Sequence, residues 1–244
     1  MNKTLIILLT SSIMACTDEV VKHTTESKPV YSLPSRDPGD YQSPINILSF
    51  DTKKIKTQHT FDIHFEDKIT EVENLGHTVQ LDFKQGSIIT INDLHYNFKQ
   101  MHFHTPSEHL IDGITYPMEL HIVAVNNDDP KLSRYIVFSI LFKMGKENAF
   151  INEFLNVIPK HEHDKVFVKE NTIKLKDLLS ASDITQHYHY KGSLTTPPYT
   201  ETVLWFVLKT IFEASPEQIK RINAIEGNNA RHIEPNNNRL IETN

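Results

Sequence analysis

Cysteine is almost missing from this chain. Cys16 is the only one in 244 residues, which excludes an internal disulfide and every zinc site built on thiolates. Glycine is scarce, with 7 residues, and neither G-x-G-x-x-G nor G-x-x-x-x-G-K-[ST] occurs, so no phosphate-cradling loop is encoded. The His-Glu-x-x-His signature of zinc peptidases is absent as well. Positive charge is in deficit: 25 Lys and Arg stand against 31 Asp and Glu, a formal charge of −6. That balance argues against a nucleic-acid partner. Long apolar runs are lacking too; Leu5 to Leu9 is too short to span a bilayer.

What is present is an ordinary globular composition, 39% hydrophobic and 23% charged, in a chain long enough to bury most of its apolar surface. The N-terminus reads as an export address. Lys3 supplies the charge, Leu5 to Leu9 the apolar core, and Ser11, Ser12 and Ala15 the small residues before Cys16. Residues 1–15 are therefore expected to be a signal peptide of lipoprotein type, with Cys16 lipidated as the only link to a membrane. The expected location is the periplasm or cell envelope. Residues 16–40, rich in Thr, Ser, Glu, Lys and Pro, read as a flexible tether. One domain is expected over 41–244, as a monomer or a homodimer.

Within that domain strand patterns dominate. Segments 79–83, 87–91, 96–104, 118–125, 135–142 and 202–208 alternate or run apolar as strands do, with Asp112-Gly113 a turn signal between the third and fourth. Helices are expected over 149–157, 173–179 and 216–225; Ser215-Pro216-Glu217 opens the last with an N-cap and a first-turn proline. The fold class is α+β: a single domain on a large, mostly antiparallel, twisted central β-sheet with a few short peripheral helices.

The 14 histidines invite a search for metal ligands. In a strand, residues i and i+2 share a face, so His102 and His104 project together, roughly 7 Å apart along the chain. Glu119 and His121 do the same on the next strand. If the two strands pair, three neutral imidazoles converge and leave a fourth tetrahedral position open, the arrangement of a catalytic rather than a structural zinc. Two other His-x-His pairs act as internal controls. His161-Glu162-His163 follows Pro159 in a charged stretch and reads as a solvated loop. His187-Tyr188-His189 has no evident third ligand.

Four segments carry a more specific signal. These are Gln42-Ser43-Pro44-Ile45-Asn46-Ile47, His102 through His109, Tyr116 through His121, and Gly192-Ser193-Leu194-Thr195-Thr196-Pro197-Pro198. Together and in this order they resemble the alpha class of carbonic anhydrases, particularly the bacterial members, from about residue 42 to 239. The resemblance implies zinc held by His102, His104 and His121, and reversible hydration of CO2 to bicarbonate and a proton by a zinc-bound hydroxide. It implies that Thr195 orients the hydroxide while Glu108 fixes the Thr195 hydroxyl, and that Thr196 lines the bicarbonate position. Val123, Val137, Leu194, Val203 and Trp205 would form the apolar wall for CO2, and His77 would shuttle protons. Gln100, Glu119 and the backbone carbonyl near Asn229 would orient the three ligands. The chain departs from the family at Leu75, where asparagine is common, at Tyr199, where exported members carry a disulfide cysteine, and in having Trp205 as its only tryptophan. Slower proton export and lower thermal stability than in disulfide-bearing relatives are the expectations. The rival reading is a non-catalytic, surface-exposed adhesin or glycan-binding module on the same fold.

Overall fold

The computed structural model describes residues 39–54, 61–64, 68–91, 94–126 and 135–244. The expected signal peptide and tether lie outside these, except for Gly39 and Asp40. Among the described residues, thirteen strands form one large sheet. Across its centre the order is Ile69–Asn74, Val79–Phe83, Leu94–His104, Met118–Val125, Tyr135–Met144, Val203–Leu208, His187–Gly192. Most neighbours run antiparallel, as expected. Tyr135–Met144 instead runs parallel to Val203–Leu208 and to Phe212–Ala214, so the sheet is mixed. Asp112 and Gly113, both at positive φ, close a two-residue hairpin between Leu110–Ile111 and Ile114–Thr115, the conformation an Asp-Gly pair favours.

Alternation of side chains builds two cores on opposite faces of the sheet. On Met118–Val125, Met118, Leu120, Ile122 and Ala124 enter one cluster, while Val123 enters the other and shares its parity with Glu119 and His121. Tyr135–Met144 splits the same way, with Ile136, Phe138, Ile140 and Phe142 on the first face and Val137 and Leu141 on the second. The helices Ala149–Leu155 and Pro216–Glu226 cover the first face through Phe150, Phe154, Ile219 and Ile222. The second face is left to hold the site, and Ile45, Ile47 and Ile241 pack into its core.

One irregularity decides where the histidines point. Between Leu94–His104 and Met118–Val125 the register shifts: Val123 pairs with Gln100, but Ala124 pairs with Phe98. Lys99 is therefore the extra residue of a β-bulge. It inverts the parity of the strand, because a one-residue slip turns every side chain to the other face. Tyr96 and Phe98 go into the helix-covered core, yet so do Met101 and Phe103, which leaves Gln100, His102 and His104 on the opposite face.

One helix expectation is corrected, and one helix is added. Segment 173–179 forms only the 3-10 turn Leu175–Asp177, because the backbone is extended at Lys174 (φ −125°, ψ 107°), whose N–H is held by the Glu153 carboxylate at 2.6 Å. A short helix, Ala181–Thr185, follows instead, opened by a capping box of Ser180 and Asp183.

Candidate metal centre

Strand pairing places His121 directly opposite His102, and Glu119 opposite His104. The three imidazole rings converge, with centroids 5.0 Å apart for His102 and His104, 5.3 Å for His102 and His121, and 4.5 Å for His104 and His121. One nitrogen from each lies within 4.8 Å of the others. Burial lowers the pKa of His102 to about 3, helped by neighbouring imidazoles, and holds His104 well below and His121 below the ordinary imidazole value. All three rings are thus neutral at pH 7, the form in which imidazole ligates a metal.

Hydrogen bonds select which nitrogens are free. His102 Nδ1 donates to Gln100 Oε1 at 2.8 Å, leaving Nε2. His121 Nε2 donates to Glu119 Oε1 at 2.6 Å, leaving Nδ1. His104 has no hydrogen-bond partner on either buried nitrogen. Orphaned polar atoms at such depth are costly, and a cation at the convergence point would answer that cost. A soft, borderline cation with a preference for nitrogen donors and four ligands, such as Zn2+, fits the set.

Asn229 sits near the ligands, though not by the expected contact. Its side-chain carbonyl accepts from Thr105 N at 3.0 Å, and its amide donates to Phe103 O at 3.0 Å and His77 O at 2.8 Å. The residue clasps the end of the histidine strand, and no hydrogen bond joins it to His104.

Behind the ligands lies a buried acid pair. Glu119 accepts from the backbone N–H groups of Glu108 and His109 at 2.8 Å each, from His109 Nδ1 at 2.7 Å and from Ser139 Oγ at 2.6 Å, besides His121. Burial alone would raise its pKa; these donors and the adjoining imidazoles hold it well below the usual value. Glu108 is in the opposite state. Burial, then the charge of Glu119, pushes it up to about 8 against the pull of the Arg231 N–H and the Thr195 hydroxyl. Its Oε1 accepts from Arg231 N at 2.9 Å, and its Oε2 has no hydrogen bond. His109, Glu119 and His121 also have ligand atoms close enough for a metal, but these atoms are bonded to one another.

The residues expected as an apolar wall meet in one cluster: Val123, Val137, Val203 and Trp205 are buried there, with Leu194 packed against it. The Trp205 ring stands edge-on to His121, centroids 4.9 Å apart, and its Nε1 donates to Ser193 O at 3.1 Å. Thr195 is buried and Thr196 exposed. Where a disulfide cysteine is absent, the Arg231 guanidinium stacks on the Tyr199 ring at 3.8 Å and donates to Gln42 Oε1 and Ser43 O. His77 is exposed on the Gly76 turn, with Nδ1 donating to Leu75 O at 3.0 Å. The two control pairs separate from the site. His161 and His163 are exposed, whereas His187 and His189 are buried and bond to Ile184 O and Trp205 O.

Sequence reasoning missed His109, Ser139 and Arg231. Ser139 could have been found as the lone hydroxyl inside an apolar strand run. Arg231 acts on Glu108 through its backbone, which leaves no trace in residue type.

Comparison with known proteins points one way. The family model for eukaryotic-type carbonic anhydrases matches residues 31–244. A carbonic anhydrase of Neisseria gonorrhoeae is 35% identical over 211 residues, 83% of this chain and 77% of that one. Among solved structures, the α-carbonic anhydrase of Photobacterium profundum is similar at 33% identity and a TM-score of 0.75, covering 84% of this chain and 90% of that one. The α-carbonic anhydrase of Thermovibrio ammonificans, solved with the inhibitor sulfanilamide, is similar at 32% identity and a TM-score of 0.76, covering 84% and 88%. The three-histidine face, the buried acid pair behind it and these matches agree: the chain belongs to the eukaryotic-type, or α, carbonic anhydrase family.

Proposed function

We propose that this protein is a zinc-dependent catalyst of the reversible hydration of CO2 to bicarbonate and a proton. The observation that carries the reading is the convergence of three neutral imidazoles, with His104 unpartnered on both nitrogens. His102 through Nε2, His121 through Nδ1, and His104 would hold the metal. When bound, zinc supplies Lewis acidity that makes a water nucleophilic near neutral pH.

The chain's own groups do the rest. A cation held by the three neutral imidazoles would favour ionised Glu108, an acceptor only. Thr195 then donates its hydroxyl proton to Glu108 and accepts from the reacting water, which turns a lone pair toward the substrate carbon. Val123, Val137, Leu194, Val203 and Trp205 exclude water and hold apolar CO2 beside that lone pair. Thr196, at the exposed edge, receives a bicarbonate oxygen. His77 takes up the released proton on Nε2, the nitrogen left bare by its bond to Leu75 O, and carries it to solvent. The non-catalytic binding module loses ground because His102, His104, His121, Glu108 and Thr195 are all retained.

The test is stopped-flow CO2 hydration by the zinc-loaded protein beside a His104→Ala variant. The variant is expected to lose stoichiometric zinc and nearly all hydration; equal activity in the two proteins would sink the reading. Export and lipidation at Cys16 complete the proposal. A Cys16→Ser variant should move from the membrane fraction to the soluble fraction, and sedimentation of the soluble form decides between monomer and homodimer.

A further inference from the structure

Of the two His-x-His pairs that the metal centre does not absorb, His161-Glu162-His163 is the exposed one. Its loop is anchored to the turn that carries His77. Asn74, which is buried, makes the anchor. Its backbone N–H donates to Asp164 O at 3.0 Å, and its backbone carbonyl accepts from His163 N at 2.6 Å. Its side-chain amide donates to Pro159 O and its side-chain carbonyl accepts from Gly76 N, both at 2.9 Å. All four polar groups of one residue thus join the 159–164 loop to the Gly76–His77 turn.

Two further observations bear on the loop. The Glu162 side chain packs against Gly76: a Cβ added there would collide with Glu162 Cδ, Cγ and Oε1. A carboxylate is therefore packed on the residue next to His77. His163 sits at φ +68°, a left-handed conformation that a non-glycine residue adopts at an energetic cost, and such residues gather at functional positions. Its Nε2 is 3.3 Å from Glu162 Oε1. Lys165, three residues on, is committed to Glu71 at 2.8 Å and Glu73 at 3.6 Å, so it does not compete with His163 for Glu162.

We propose that Glu162 and His163 form the outer station of the proton path, relaying to solvent the proton that His77 brings out. The inference rests on His77 acting as the shuttle. The N–H bond at Nε2 of the His77 imidazolium breaks, and an N–H bond forms on His163 by way of the Glu162 carboxylate. One positive charge moves outward, and a buffer base then takes the proton and regenerates neutral His163. The carboxylate offers an acceptor between the two imidazoles and stabilises the cation on either ring.

The double variant Glu162→Gln/His163→Asn tests this in the zinc-loaded protein. Asn74 grips the loop through backbone atoms, and asparagine tolerates positive φ, so the anchor survives. Stopped-flow CO2 hydration is measured at low and at high concentrations of an imidazole-type buffer, beside His77→Ala. In low buffer kcat should fall severalfold in the double variant and by about tenfold or more in His77→Ala. In both, kcat/KM is expected to stay unchanged and high buffer to restore kcat. An unaltered low-buffer kcat in the double variant, with His77→Ala impaired, overturns the outer station alone. If His77→Ala is also unimpaired, the shuttle reading fails and takes the proposal with it. A joint fall of kcat and kcat/KM that buffer does not rescue assigns the loop a structural role and likewise overturns it.

Discussion

Glu119 is the residue on which the candidate site turns. Its carboxylate accepts five hydrogen bonds, from Glu108 N, His109 N, His109 Nδ1, His121 Nε2 and Ser139 Oγ. The two backbone N–H groups hold Oε2 and can only donate, so in Glu119→Gln the amide NH2 takes the place of Oε1 and faces Ser139 Oγ, His109 Nδ1 and His121 Nε2. The Ser139 hydroxyl can turn to accept, but His121 Nε2 can no longer donate there. With the tautomer of that ring no longer fixed, zinc affinity should fall about 10–100-fold. Competition against a chromophoric chelator measures it; an unchanged affinity would mean that something other than Glu119 orients His121. The roles of Gln100 and Glu119 were legible in the sequence because each stands two residues before a ligand, on the same strand face. His109 and Ser139 were not, since their value depends on where a neighbouring strand falls in register.

Among the elements, the helix Pro216–Glu226 shows how local signals and tertiary contacts combine. Ser215 and Gln218 form its capping box, and Gln218 does more. Its Oε1 accepts from Asn148 N at 2.9 Å and Ser215 N at 3.0 Å, and its Nε2 donates to Asn148 O and Asn152 Oδ1 at 2.8 Å each. One buried side chain thus fastens the starts of both helices on the covered face. Gln218→Met keeps the volume but strands two backbone N–H groups, which should cost about 2–4 kcal/mol. Urea unfolding checks this, and CO2 hydration of the folded variant should be unchanged, because the helices lie across the sheet from the histidines. A loss within 0.5 kcal/mol, the ordinary range for surface changes, would show that these bonds are replaced by water. The start of this helix could be read from Ser215 and Pro216, and the capping pattern of Ser180 to Asp183 could have revealed Ala181–Thr185. The bulge at Lys99 could not be read. The pattern 96–104 looks like one strand, yet its apolar residues change parity midway, and only pairing with Met118–Val125 explains why His102 and His104 face away from Phe98.

For the whole molecule, buried titratable groups set how stability follows pH when the metal is removed. His102, His104 and His121 have pKa values lowered on folding. The unfolded chain therefore binds more protons below about pH 6.5, the ordinary imidazole value, and stability falls as pH drops from there. Glu108 and Glu226 are raised from 4.5 to about 8, chiefly by burial. Glu226 ends its helix beside Val79 N, Thr105 Oγ1 and Asn229 Nδ2, all at 3.3–3.4 Å, contacts too long to offset its desolvation. For these two the folded protein binds more protons between 4.5 and 8, so stability is complete below that window and is lost as pH rises through it. Each group contributes up to about 1.4 kcal/mol per pH unit. Below 6.5 three histidines outweigh two carboxyls, and above it the carboxyls act alone. Stability of the metal-free protein should therefore peak near pH 6.5 and decline on both sides. Zinc should lift the acid limb by blocking protonation of the ligands and should flatten the alkaline limb by favouring ionised Glu108, leaving Glu226 to account for what slope remains. Glu226→Gln in the zinc form should then remove most of the decline between pH 6.5 and 8. Denaturant titrations at half-unit intervals with and without chelator decide it, and a metal-free curve that rises steadily to pH 8 would contradict the buried-carboxyl account.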